Sequence, residues 1–202
     1  MNEQRVIEPE STVVGVDWCG RVVSGEEYDR VTFVELDMAE ATDDGTVFTE
    51  CTFRKCRFNA SSHTRAAFVN CTFESCNFFD TTFDGCKLVG SMFDHCTHEL
   101  MEVSGGNWSF VGLAGADLHT ASFADVQMRE ADLSRIRAQG GSFRGVDLSG
   151  ALVRGADLSG CDLRGSDLSA IDPEAVHLKG AIITADQALV IAEALGLDVR
   201  GA

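Results

Sequence analysis

The sequence predicts an all-β protein, a coil of short strands square in cross-section, closed at its C-terminal end by a helix. Three observations lead there. A five-residue period runs without a slip from Phe33 to Ile183; the third residue of each five is large and apolar at 26 of 31 places; and none of the positions two residues earlier is charged. A period of five matches neither the α-helix nor the flat strand, so neither keeps one inward stripe at that spacing. Short strands joined by corners do. Residues two apart on an extended strand point the same way, so each five sends one small and one large side chain inward. Four fives make a square turn of 20 residues, with each strand lying on the one a turn later at about 4.8 Å.

The elements follow in chain order. Residues 1–12 have the composition of a disordered segment. Residues 13–30 keep Val13, Trp18, Val23 and Tyr28 at the central place, but Arg21 and Glu26 take the small slot, so this stretch is expected to be a degenerate coil covering the first open edge. Residues 31–183 are the repeat itself, and 11 of the chain's 13 Phe are central there. One inward column reads Phe33, Phe53, Phe73, Phe93, Leu113, Leu133, Val153, Pro173, so phenylalanine gives way to leucine along the coil. Gly85, Gly145, Gly155, Gly160 and Gly165 stand at the fifth place, where a corner with positive φ fits. Residues 184–202 read as a helix and tail: Thr184 with Gln187 forms a capping box, and Gly196 is a stop. The helix's apolar arc of Ala185, Ala188, Leu189, Ile191, Ala192 and Leu195 is wider than one supporting surface needs, which predicts a two-fold dimer sharing it.

Five central places depart from the pattern: Asp43, His63, His98, Ala138 and Pro173. Asp43 and His63 share a column one coil apart. They form either a buried ion pair, or Asp43 turns outward and His63 is a satisfied core histidine; the second is the expectation. Pro173, with no N–H, suits a place near the end of the sheets. Seven of the eight Cys take the small slot that Ala, Ser, Thr and Val fill elsewhere, so they are read as packing residues rather than metal ligands or disulfide partners. Cys56, Cys76 and Cys96 are predicted to stack, while Cys19 lies outside the repeat.

With 32 acidic and 16 basic residues, the net charge is −16. That balance argues against direct binding of nucleic acid, and the absence of an apolar run or signal sequence predicts a soluble, cytoplasmic protein. No phosphate loop, nucleophile elbow or metal-ligand cluster stands apart from the repeat, so neither an enzyme nor a cofactor is expected. Residues 31–183 hold 22 acids and 12 bases. At about 4.8 Å per coil this is about one net negative charge per 4 Å, compared with one per about 1.7 Å in duplex DNA. Asp147, Asp157, Asp162, Asp167 and Asp172 precede repeat centres near the C-terminal end, with Arg144, Arg154 and Arg164 among them. Phe79 and Phe110 fall outside the central place and are candidate apolar contacts for a partner.

The A-D-L-S-G and C-T-F-x-x units, over about three quarters of the chain, resemble the pentapeptide-repeat family. The resemblance implies a right-handed quadrilateral β-helix. The tail, Asp186-Gln187-Ala188 followed by Gly196-Leu197 and Gly201, is similar to that of mycobacterial fluoroquinolone-resistance members of the family, with the Qnr group more distant. For those members the helix pairs two β-helices into an acidic rod that imitates DNA and inhibits DNA gyrase. The resemblance therefore implies gyrase as partner and a homodimer; the five aspartates are the candidate phosphate mimics, the alternative being that Arg144, Arg154 and Arg164 pair with them in a solvated ion-pair lattice. The unbroken register leaves no place for the projecting loops that Qnr proteins carry. The alternative is a protein-interaction scaffold whose partner is not a topoisomerase.

Overall fold

The computed structural model describes residues 8–200. Short strands of three residues pair in parallel, each with the strand 20 residues on: Phe33 lies opposite Phe53, Phe53 opposite Phe73, Phe73 opposite Phe93. The same register holds for the single bridges that continue the walls, through Ser142↔Asp162 and on to Asp162↔Ile182. Four ladders result, one per wall, and the cross-section is the quadrilateral that the period requires.

Corners explain the fifth place. From Glu10 to Arg135 seventeen non-glycine residues adopt positive φ, and the fifth-place glycines do the same, Gly85 at 62° and Gly165 at 80° among them. Glycine reaches that region without strain, so the glycine-rich C-terminal corners need no compensation, whereas the others rely on the ladder to hold them. Gly106 is a special case in the small slot: at φ 85°, a Cβ there would collide with the Cys86 carbonyl oxygen.

The interior is continuous from Trp18 to Val176. Phenylalanine rings stack down the columns, with centroids 5.1 Å apart for Phe33 and Phe53, 4.9 Å for Phe53 and Phe73, and 4.7 Å for Phe73 and Phe93. That spacing is the coil rise, so the backbone ladder and ring stacking reinforce each other.

Three expectations change. Of the N-terminal segment 1–12, residues 1–7 lie outside the described residues, while Glu10 N–H donates to Asp29 O and Thr12 pairs with Thr32. Asp43 is not turned outward: it and His63 are both completely buried, with His63 Nδ1 3.0 Å from Asp43 Oδ2. The five-residue register leaves an inward place no freedom to rotate outward without breaking two ladders. Arg21 and Glu26 disturb the first coil less than their charges suggest, because they pair with each other at 2.7 Å across its open end. There the Arg21 guanidinium lies 4.8 Å over the Trp18 ring, and the Tyr28 hydroxyl donates to Glu26.

Pro173 sits where the ladder loosens. Ala175 N–H turns back to Asp172 O, and Gly155 N–H reaches Ala175 O, one residue beyond the partner that the register gives elsewhere. The chain then enters the helix Ala185–Ala194. Its capping box is complete, with Thr184 N–H donating to Gln187 Oε1 at 2.7 Å and Gln187 N–H to Thr184 Oγ1 at 3.3 Å. Gln187 is also the helix's anchor: its Nε2 donates to Leu163 O and Ser166 O, both at 2.7 Å, tying the helix to the backbone of the last coil.

Candidate functional site

Nine of the 22 acids of residues 31–183 stand at the second place of a five, and the residue at that place shapes the local backbone. Where it is Thr or Ser, as in Thr52, Ser62, Thr72 and Thr82, the unit is a three-residue strand, with Thr97, held by a single bridge to Asn77, the exception. Where it is Asp or Asn, the carboxylate or amide oxygen accepts the N–H two residues on and the unit narrows to one bridge and a turn, as at Asp37, Asn77, Asn107 and Asp132. This is the competition that short polar side chains offer to strand extension.

All five candidate aspartates hold such a bond. Asp147 accepts from Ser149 N–H, Asp157 from Ser159, Asp162 from Arg164, Asp167 from Ser169 and Asp172 from Glu174. Their recurrence is thus a turn requirement as well as a charge pattern. The register brings only Asp147 and Asp167 to one wall; Asp157, Asp162 and Asp172 lie on the other three.

Their electrostatics differ. Asp162 is held down to about 2, first by the hydrogen bond from the Arg164 guanidinium and further by Arg144. Asp147 is lowered by the Ser149 hydroxyl and by Arg129, and Asp157 by Ser159 and Gln139. Arg154 makes no ion pair among the described residues. The remaining lone pairs of Asp167 and Asp172 face solvent, with no basic partner among the described residues, so with Asp157 they stay unneutralised at the C-terminal end, as Glu35, Asp80, Asp84 and Asp125 do elsewhere on the rod.

That end also carries the apolar helix. Among the predicted interface residues, Ile191 and Ala192 are half-buried against the last coil, while Ala185, Ala188, Leu189 and Leu195 are exposed. Leu189 is 48% and Leu195 52% exposed, and Leu197 and Val199 extend the surface into the tail. The sequence showed this arc. It did not show that Gln187, rather than an apolar residue, is the one fully buried contact.

Buried polar groups form a second cluster. Ser61 Oγ donates to Phe58 O at 2.6 Å and lies 3.0 Å from His63 Nε2, while Asp43 Oδ1 accepts Thr46 N–H. The hydroxyl has one hydrogen and spends it on Phe58 O, so His63 Nε2 donates to Ser61, and one further proton sits between Nδ1 and Asp43. The order Ser, His, Asp matches a nucleophile relay, but all three side chains are sealed inside the coil and the hydroxyl faces a backbone carbonyl. The cluster joins walls rather than meeting a substrate.

The cysteines behave as packing residues with thiols donating to carbonyls, Cys76 to Phe53 O at 3.3 Å and Cys96 to Phe73 O at 3.4 Å. The neighbouring Cys56 and Cys96 thiols, together with burial, push the Cys76 thiol far up, as expected for the stack of three. Burial raises Cys86 and Cys161 to about 12. Cys19 is exposed. Among the described residues no group of three or more His, Cys, Asp or Glu is placed to hold a metal ion, and no helix is long and apolar enough to cross a membrane.

A model of the pentapeptide repeat region matches residues 46–123, and one of pentapeptide repeats in eight copies matches residues 138–172. Together they cover more than half of the chain, which therefore belongs to the pentapeptide-repeat family, and its fold is that family's right-handed quadrilateral β-helix. No curated protein sequence matches the chain. Among solved structures it is similar to HetL, a pentapeptide-repeat protein involved in heterocyst differentiation regulation in the cyanobacterium Nostoc sp., at 21% identity over 86% of this chain and 83% of HetL, with a TM-score of 0.62. It is also similar to full-length QnrB1, a plasmid-mediated fluoroquinolone resistance protein, at 20% identity over 94% of this chain and 99% of QnrB1, with a TM-score of 0.52.

Proposed function

We propose that this protein is a non-catalytic, acidic DNA mimic that binds and inhibits DNA gyrase in the cytoplasm, acting as a homodimer joined through its C-terminal helices. The observation that carries the reading is one end of the molecule: a helix with exposed Leu189 and Leu195 beside aspartates that make no ion pair among the described residues, Asp167 and Asp172. Burying the apolar arc against a second copy aligns two rods and doubles the length of the acidic surface. The D-Q-A helix and glycine-leucine finish resemble those of the mycobacterial fluoroquinolone-resistance protein MfpA. Protection of gyrase from fluoroquinolones or another poison is the corresponding biological role. A charge density below that of DNA steers the rod to a cationic groove without making it bind every such groove.

A second reading is a scaffold for a partner other than a topoisomerase. It is favoured by the turn bonds of the five aspartates, which account for their recurrence without any partner. Titration of the protein into gyrase supercoiling reactions, with and without ciprofloxacin and at two salt concentrations, separates the two. A mimic inhibits, less so at high salt, and reduces drug-stabilised breaks. The double variant Leu189→Glu, Leu195→Glu sediments as a folded monomer and inhibits at least about tenfold more weakly. No inhibition at micromolar protein selects the scaffold.

A further inference from the structure

The fifth place of each unit carries an independent signal. Of the seventeen non-glycine residues there with positive φ, fourteen are polar or charged and one is Ala60; only Leu100 and Phe110 are large and apolar. Phe110 adopts φ 61° and is 52% exposed. It therefore bears two costs, a backbone region that favours glycine and an aromatic ring left in water, and the only bond its position makes to the coil is through backbone, Phe110 N–H to Arg129 O. Glycine would serve the corner better, and glycine stands in the same corner column one coil before it at Gly90 and two coils after it at Gly150.

The adjoining wall is shaped to match. Two residues on from Phe110, Gly112 pairs with Met92, and a Cβ at Gly112 would collide with Met92 Cε and lie 2.6 Å from its Sδ. The missing side chain lets Met92, itself 48% exposed, lie across the wall beside the Phe110 corner. Charges around this pair are acidic. Asp94 shares the wall and unit of Met92, Glu130 stands one coil beyond Phe110, and Asp132 one coil beyond Gly112. Arg129, whose carbonyl accepts the Phe110 N–H, is paired with Asp147, and His95 faces Asp94 at 2.7 Å.

We infer that Phe110 and Met92 form an apolar anchor, rimmed by Asp94, Glu130 and Asp132, that inserts into a recess in a cationic protein surface of the kind that holds DNA. In a two-fold contact with a second copy, Asp94, Glu130 and Asp132 would face their own counterparts, so the rim fits a cationic partner and not another copy of the chain. The inference rests on the gyrase reading and sharpens it. Charge imitates what DNA offers, while an aromatic ring at mid-rod supplies what a phosphate backbone lacks, a contact independent of salt that distinguishes this ligand from DNA.

The test measures the dissociation constant for purified DNA gyrase at two salt concentrations, for the wild type and for Phe110→Gly, Met92→Ser and Asn70→Gly. Asn70 occupies the same corner column at φ 53°, so its replacement relieves the same backbone cost without touching the patch. Phe110→Gly is expected to melt at or above the wild-type temperature, to weaken binding at least about tenfold at both salts, and to leave the salt dependence unchanged. Met92→Ser weakens binding less, and Asn70→Gly leaves it as it was. Wild-type binding with equal affinity for Phe110→Gly overturns the anchor alone. A lower melting temperature for Phe110→Gly also overturns it, by making the ring structural. Failure of the wild type to bind gyrase overturns the functional reading and the anchor together.

Discussion

Before Gly105 the rod is cored by phenylalanine and walled by strands; beyond it the core is mostly leucine, valine and alanine and the walls are mostly single bridges. Thirteen of the fifteen strands lie in the first region. The two in the second, Ser122–Ala124 and Ser142–Arg144, are the two units there that combine a central Phe with Ser at the second place. The same coil is thus built in two ways. In one, β-branched and hydroxyl residues flank stacked rings and the ladder extends. In the other, aspartate clamps the turn, leucine fills the interior, and glycine makes the corner. The second style places a carboxylate at the second place of seven of the sixteen units between residues 106 and 185, so part of the chemistry that folds the C-terminal region is also what makes it acidic.

The comparison breaks most visibly in the core. Phe73 is fully buried between Phe53 and Phe93, and Phe73→Ala is expected to cost about 4 kcal/mol, measured by urea unfolding. Leu133→Ala, in the same column beyond the changeover, should cost about 3 kcal/mol. Equal losses would mean that ring stacking adds nothing beyond buried area.

His98 lies near the boundary, stacked on Phe78, and neither ring nitrogen has a hydrogen-bond partner among the described residues. Burial lowers it to about 4, against about 6.5 in an unfolded chain. The unfolded chain therefore binds a proton that the folded one refuses. Stability is full above about pH 6.5 and falls by about 3 kcal/mol as the pH drops to about 4. His98→Leu should remove this part of the acid sensitivity and leave stability at pH 7 unchanged or higher. An identical pH profile for the two proteins would contradict the burial of a neutral imidazole.

The smallest effect concerns the turn clamp. Asp132 accepts Ser134 N–H at 3.0 Å. Asp132→Ala should cost about 1 kcal/mol, as loss of a comparable side-chain cap does, and should speed hydrogen exchange at Ser134 without changing it at Phe73. Thr in place of Asp132 is expected to recover part of the loss by extending the strand, which ties the two building styles to one residue.

Much of this was legible in the sequence because the repeat is local and constant in length. Period five with a small and a large inward residue leaves one arrangement in which backbone groups pair and apolar side chains are enclosed, so Phe33, Leu113 and the cysteine stack could be placed from the register alone. The capping box of Thr184 and Gln187 was legible for the same reason, since its partners are three residues apart. The exceptions were not. Asp43 pointing inward, Arg21 pairing with Glu26, and Gln187 reaching Leu163 and Ser166 depend on which atoms meet across coils, and a one-dimensional pattern carries no such distances. The candidate site divides along the same line. Sequence alone determined that the rod is acidic, that Asp147 and Asp167 share a wall, that Phe110 stands outside the core and that the last helix has an apolar arc; only the tertiary structure decided which charges remain unpaired and that Met92 lies over Gly112, two residues past the Phe110 corner. Local periodicity sets the direction of each side chain, but neutralisation and exposure are set by neighbours 20 residues away, and those are chosen by the stacking of the coils.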